Sequence, residues 1–244
     1  KASAAQRAGR AGRVAPGRCF RLWSEAEQAR KADFDPPECF RVDLAGAVLN
    51  LAAWGITAPE GFRWLDAPDP LVMQRAVNLL AALGATEADG SLTDVGRRMT
   101  AFPLPPRLAR LMAAGQDEQC VVELAAIAAL MQGEGVAMKG GLNDNLRDSA
   151  DYTDFQAEWR AVEKAVDAGF EAGACTRWGI SARGAREVWM AYRQLLSIGS
   201  RGKSREMPEP DFTAARPAVV RAMMESFADH VGVRNGCLLY TSDA

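Results

Sequence analysis

This chain of 244 residues is expected to be mainly α-helical, with a short α/β piece at its leading edge. Three observations carry that expectation. Apolar residues recur at helical spacing in most segments after residue 42. Proline, glycine and Ser/Thr/Asp capping residues punctuate those segments about one helix apart. One stretch near the start, RCFRLW at 18–23, instead places Cys19, Phe20, Leu22 and Trp23 as a half-buried strand does. The hydrophobic fraction, 48%, and the length fit one large domain or two to three small ones.

The elements follow in order. Residues 3–10 form a short helix, limited by Gly9 and Gly12, and the Pro16-Gly17 turn leads into the strand. DFDPP at 33–37 is a break. A helix follows over 43–54, with Leu44, Ala47, Val48, Leu51 and Trp54 on one stripe and Gly55 ending it. After APDP at 67–70, Asp69 caps a helix whose first residue is Pro70 and which stops at Gly84. Asp89-Gly90 marks a hairpin. Thr93 caps the next helix, over 94–101. Two helices, a small hairpin and a third helix make a winged-helix-like pattern. FPLPP at 102–106 breaks the chain again, and residues 107–114 and 118–131 read as a helical pair, the second with Leu124, Ile127, Ala128 and Met131 on one face. A loop spans 133–141. Residues 151–166 form an amphipathic helix with Phe155, Trp159, Val162 and Val166 inward, and Ser181 caps a helix running to Leu196. Residues 198–212 read as a polar, mobile linker. Pro217 opens a last helix to about Asp229. No internal repeat is present.

The formal net charge of -2 points to no nucleic-acid or membrane partner, but it is a sum of opposed patches. Residues 1–31 hold eight Lys and Arg against Glu25 and Glu27. Residues 96–116 hold Arg97, Arg98, Arg107 and Arg110 and no acid. Residues 144–171 hold eight Asp and Glu against three Lys and Arg, a charge run that reads as a solvated face. Five cysteines without a CxxC pair suggest a reducing, cytoplasmic setting with no disulfide framework and no zinc site. His230 is the sole histidine, so neither a histidine-based metal site nor a Ser-His-Asp triad is expected. It reads as locally structural, beside Asp229. No apolar run is long enough to span a bilayer, and the start lacks the apolar core of a signal peptide.

The stretch QRAGRAGR at 6–13 carries the chemistry. Its glycines allow tight turns and close backbone approach. Arg10 and Arg13 are three apart, so their guanidinium forks converge on a helix or tight turn, and such forks match phosphate oxygens. Gln6, one helical turn before Arg10, is placed to hold a water near the same anion. The plainer alternative is a solvated Arg/Gly-rich segment.

QRAGRAGR followed by PGRCFRLW resembles the last helicase motif of the DEAH-box RNA helicases, QRxGRxGR followed by a strand. The resemblance continues in order. PPECFR at 36–41 is similar to the family's PPEIxR, and 43–56 to its LxxxxLxLxxxGI helix. FRWLDAP at 62–68 is similar to FxFxDPP, and LTDVGRRMTAFPLPPR at 92–107 to LTxLGRxMxxFPLxPR. RAMMESFADHVGVR at 221–234 is similar to the GFxDxVAxR segment that leads into the family's oligonucleotide-binding (OB) fold, with Ser226-Phe227 in place of Gly-Phe. The pattern is closest to the bacterial HrpB-like branch.

The resemblance implies residues 1–31 as the end of the second RecA-like domain. It implies a winged helix over 36–103, a helical ratchet bundle over 104–212 and a lead-in to the OB-fold over 213–236. Residues 237–244 read as a non-native tail resembling translated adapter sequence. It implies that Gln6 orients the attacking water and that Arg10 and Arg13 are arginine fingers on the γ-phosphate, with Arg7 structural or interdomain. The implied cofactors are ATP and Mg2+ in a parent protein. The implied partners are single-stranded RNA, or DNA in its place, and RecA-like domains in cis, with no membrane. The loop at 133–148 matches no family pattern. GxxxxGKS/T and DExH motifs do not occur, so the chain reads as part of a longer protein, and by itself is expected to bind no cofactor and hydrolyse no ATP. Arg97, Arg98, Arg107 and Arg110 are candidates for tracking a phosphate backbone, against a solvated or interdomain basic face. Trp54, Trp64, Trp159, Trp178 and Trp189 are candidates for base stacking, against a place in the core. The rival functions are a stand-alone winged-helix binding module and a catalytically dead scaffold.

Overall fold

The computed structural model describes residues 1–200, 208–235 and 238–241. Eleven α-helices are present among them: α1 (Ala2–Arg10), α2 (Glu25–Arg30), α3 (Ala45–Ala53), α4 (Pro70–Ala82), α5 (Asp94–Met99), α6 (Pro106–Asp117), α7 (Val121–Gln132), α8 (Asp154–Asp167), α9 (Ala172–Arg177), α10 (Ala182–Gly199) and α11 (Arg216–Ser226). An antiparallel pair, β1 (Gly232–Asn235) and β2 (Leu238–Thr241), follows them, with Gly232 opposite Thr241.

The winged helix is built from local rules. Asp43 accepts the Ala45 N–H at the start of α3, and Gly55 (φ +83°) ends that helix. Asp69 Oδ1 accepts the Leu71 N–H (2.7 Å) beside Pro70, and Gly84 (φ +66°) closes α4. The Asp89-Gly90 turn brings Thr86 opposite Leu92, which forms the wing. Thr93 Oγ1 then accepts the Gly96 N–H (2.9 Å) and starts α5. A Cβ on Gly96 would sit 2.0 Å from the Ala85 carbonyl oxygen, so only glycine lets α5 lie against the wing. Gly96→Ala is therefore expected to cost about 1–3 kcal/mol, as overpacking does. Urea unfolding checks it, and an unshifted midpoint would contradict the close approach.

The core runs without interruption from Leu44 to Ala222. It crosses from wing to bundle at α6, where Leu108, Ala109, Leu111, Met112, Ala113 and Ala114 are all buried. Helix α6 touches α5, α7 and α11, while α7 lies among α6, α8 and α10. The sequence predicts one apolar face for α7. Instead the helix is enclosed on nearly all sides: Ala125, Ala126, Ala129 and Leu130 are buried, and Met131 is the exposed end. Its sequence, VVELAAIAALMQ, is apolar but for Glu123 and Gln132, and the buried Glu123 is satisfied by the Asp211 N–H. The buried alanines leave room for close helix approach.

Two further expectations change. Residues 18–23 form no strand, and Phe20 and Leu22 are exposed, because no other strand pairs with them among the described residues. Trp54 is 75% exposed rather than on the buried stripe of α3, since it follows the last turn of that helix. Of the expected linker at 198–212, residues 201–207 lie outside the described residues. Beyond them the chain is anchored. Tyr192 Oη donates to the Pro208 carbonyl (2.6 Å), the Asp211 N–H donates to Glu123 Oε1 (3.0 Å), and Phe212 is buried. In the expected tail, Leu238–Thr241 is the strand β2, while residues 237 and 242–244 lie outside the described residues.

Candidate functional site

Helix α1 carries Gln6, Arg7 and Arg10, all exposed, and Arg13 lies beyond its end in an exposed turn. Gln6 and Arg10 are one helical turn apart and share a face. Arg7, Arg10 and Arg13 take part in no ion pair among the described residues. The helix is tied at its first turn to the DFDPP break: the Ala2 N–H donates to the Asp33 carbonyl (2.8 Å), Lys1 Nζ pairs with Asp33 (3.0 Å) and Ser3 Oγ donates to Asp35. Beyond the helix the chain folds back so tightly that a Cβ on Gly17 would overlap the Ala11 carbonyl.

The four arginines of the 96–116 stretch each hold a carboxylate. Arg97 pairs with Asp94 and donates to the Leu92 carbonyl (2.8 Å). Arg98 grips Asp117 with both Nη atoms (2.7 and 2.9 Å). Arg107 forks onto Asp229 (2.7 and 2.5 Å), and Arg110 meets Glu225 (2.7 Å) while its Nε donates to the Leu83 carbonyl (3.0 Å). Counting acids along the sequence misses these partners, because two of the pairs bridge more than a hundred residues. The Arg107 guanidinium, foremost through its hydrogen bonds, holds Asp229 down to about 2 from an ordinary 3.8. A carboxyl depressed in the folded state stabilises that state fully above its unfolded pKa. That contribution is lost as pH falls through the folded value, so here the window is about pH 4 to 2.

The tryptophans divide. Trp159 is 3% exposed, edge-on to Tyr192 at 4.6 Å, and its Nε1 donates to Glu163 (2.6 Å). Burial pushes the Glu163 carboxyl up, and like charge from Glu209 adds to it. Trp64 and Trp189 are half-buried against the same core. Trp178 is half-buried with Lys164 Nζ 4.0 Å from its ring centroid. Trp54 alone of these five is fully open. The acidic run at 144–171 is only partly solvated, since Asp151 is paired with Arg160 and Glu163 with Trp159.

The loop at 133–148, unreadable by pattern, is pinned by backbone. The Met138 N–H donates to the Gly179 carbonyl (2.8 Å), the Ser181 N–H to Val136 (2.8 Å) and the Asn143 N–H to Trp178 (3.0 Å). Gly140 (φ +117°) and Gly141 (φ +86°) make its turn. Cys120 and Cys175 are buried, and burial pushes the Cys120 thiol up to about 11, which keeps it protonated and unreactive near neutral pH. No group of three or more His, Cys, Asp or Glu among the described residues is arranged to hold a metal ion. No helix among them is long and apolar enough to cross a membrane.

A winged helix whose core continues into a helical bundle is a helicase-associated architecture, and residues 76–104 match the family described as helicase associated domain (HA2), winged-helix. Over 133 residues the chain is 41% identical to a probable ATP-dependent RNA helicase, the DHX35 homolog of Caenorhabditis elegans, which covers 54% of this chain and 18% of that protein. The solved structure of the Escherichia coli DExH-box NTPase HrpB superposes with a TM-score of 0.55 at 26% identity, over 96% of this chain and 24% of that one. The chain is thus similar to DEAH-box RNA helicases, HrpB among them, with residues 76–104 matching their helicase-associated winged helix. It spans less than a quarter of the length of the relatives it matches.

Proposed function

We propose that this chain serves an ATP-driven RNA helicase by completing the nucleotide site and guiding the unwound strand. One observation carries the reading: α1 presents Gln6 and Arg10 outward on one face, with the guanidiniums of Arg10 and Arg13 unneutralised by any described carboxylate. Planar cations in that state suit phosphate oxygens. ATP with Mg2+ supplies the driving reaction when bound in the parent protein. Gln6 orients the attacking water, and Arg10 and Arg13 stabilise charge on the γ-phosphate. Translocation runs 3′ to 5′ along single-stranded RNA, with sequence-tolerant backbone contacts.

The division into a RecA-like end (1–31), winged helix (36–103), ratchet bundle (104–212) and OB lead-in (213–236) belongs to the same proposal, the wing and bundle being joined by a common core. Ten large apolar side chains between Val14 and Leu71 are exposed, among them Phe20, Phe34 and Trp54, which supports a covering RecA-like domain in cis.

The 244-residue chain is expected to bind a fluorescent oligo(U) weakly, with affinity falling as salt rises at about 0.7 log units per phosphate neutralised and per decade of salt. Since Arg98, Arg107 and Arg110 are engaged internally, the slope should come largely from residues 1–31. Joint Arg7, Arg10 and Arg13 to Gln substitution is then expected to flatten it. Anisotropy across a salt series reads this out, and salt-independent binding would contradict the electrostatic reading.

A further inference from the structure

Arg107 is the second residue of α6, immediately after the proline-rich turn that leaves the winged helix. Its guanidinium faces the far end of α11. Nη1 and Nη2 take the two carboxylate oxygens of Asp229, and Nη1 also donates to the Ser226 carbonyl (3.1 Å). The Phe227 ring lies 5.8 Å away. Ser226 is fully buried, so only a small residue fits where the chain leaves α11. Asp229 sits in the single 3-10 turn, Ala228–His230, that separates α11 from β1. Two more pairs join the same helices: Arg110 with Glu225 and Arg221 with Glu118 (2.7 and 2.5 Å).

We infer that Arg107 is a positioning residue which fixes the exit of the chain from α11, and thereby ties the direction of β1 to the winged-helix side of the molecule. The side chain is only 23% exposed and spends both ends of its fork on the exit turn. A nucleic-acid phosphate would have to displace a bidentate carboxylate to reach it, which argues against the strand-tracking role that its place in the basic stretch suggests. The geometry needs a planar fork. A lysine, as a point charge, cannot hold both carboxylate oxygens and the Ser226 carbonyl together.

Amide hydrogen exchange on the 244-residue chain tests this. Arg107→Gln is expected to speed exchange at Phe227, His230 and Val231 by about tenfold or more, the scale of a lost charge-assisted contact. The interior amides of α7 and α10 keep their protection. Arg107→Lys recovers the loss in part, and Arg107→Asp combined with Asp229→Arg, which restores the ion pair but not the bond to the Ser226 carbonyl, also recovers it in part. Unchanged exchange at the turn overturns the inference. So does a uniform rise through α7 and α10, which would make Arg107 a general stability residue. Loss of oligo(U) affinity with exchange unaltered would restore it as a nucleic-acid contact. If Arg107→Gln fails to fold, Asp229→Asn in the partly exposed turn gives the same reading, and wild-type exchange there also overturns it.

Discussion

Arg10→Ala, made in a full-length protein that carries the phosphate-binding half, is expected to lower ATP turnover about a thousandfold or more. The thermal midpoint should barely move. Arg10 is exposed, joins no ion pair among the described residues and buries no apolar surface, so its loss removes no described contact that supports the fold. A finger acts only when charge develops on the transferred phosphoryl group, so kcat should fall with little change in KM. Arg10→Lys should recover little, because a point charge lacks the fork. Wild-type turnover in Arg10→Ala would remove the catalytic assignment and leave the stand-alone binding module. Full turnover loss accompanied by unfolding would assign α1 a structural task instead.

Trp159→Ala is expected to destabilise the chain by about 3–5 kcal/mol, the range for truncating a buried aromatic residue. The ring is lost from its contact with Tyr192, and Glu163 keeps a half-buried carboxylate without its indole donor. Tyr192 in turn anchors the Pro208 carbonyl, so the return of the chain toward α11 should loosen as well. Trp54→Ala provides the contrast. At 75% exposure it should shift stability by no more than about 0.5 kcal/mol. Urea unfolding of both variants separates a core tryptophan from a surface one. A small loss in Trp159→Ala, together with weakened oligo(U) binding, would instead point to base stacking.

Much of this fold is legible because its rules are local. Asp69, Thr93 and Ser181 cap the helices they were expected to cap. Gly55 and Gly84 end theirs with positive φ, and Asp89-Gly90 turns the wing. Each depends on neighbours within a few residues. What escaped depends on distant ones. A strand at 18–23 requires a partner strand, and apolar alternation alone cannot supply it. The wide burial of α7 was hidden because periodicity reports one face, while three other helices decide how much of the rest is covered. The arginines at 97–110 look like a basic surface until α11 and the turn after it bring Glu225 and Asp229 beside them. At the candidate site, the helix that carries Gln6 and Arg10 was expected from the sequence. Its attachment through Asp33 and Asp35 was not, because a proline-rich break reads as a linker.

The hydrophobic core that passes unbroken from the wing into the bundle also bears on how such proteins can diversify. A bundle without the wing would bare the side of α6 on which α3 and α5 pack, and a wing lifted out alone would lose that covering surface. Recombination between genes would therefore preserve folding only when it carries both together. New binding specificities are more readily acquired by lengthening surface connections, such as the pinned loop at 133–148, than by exchanging one module for another.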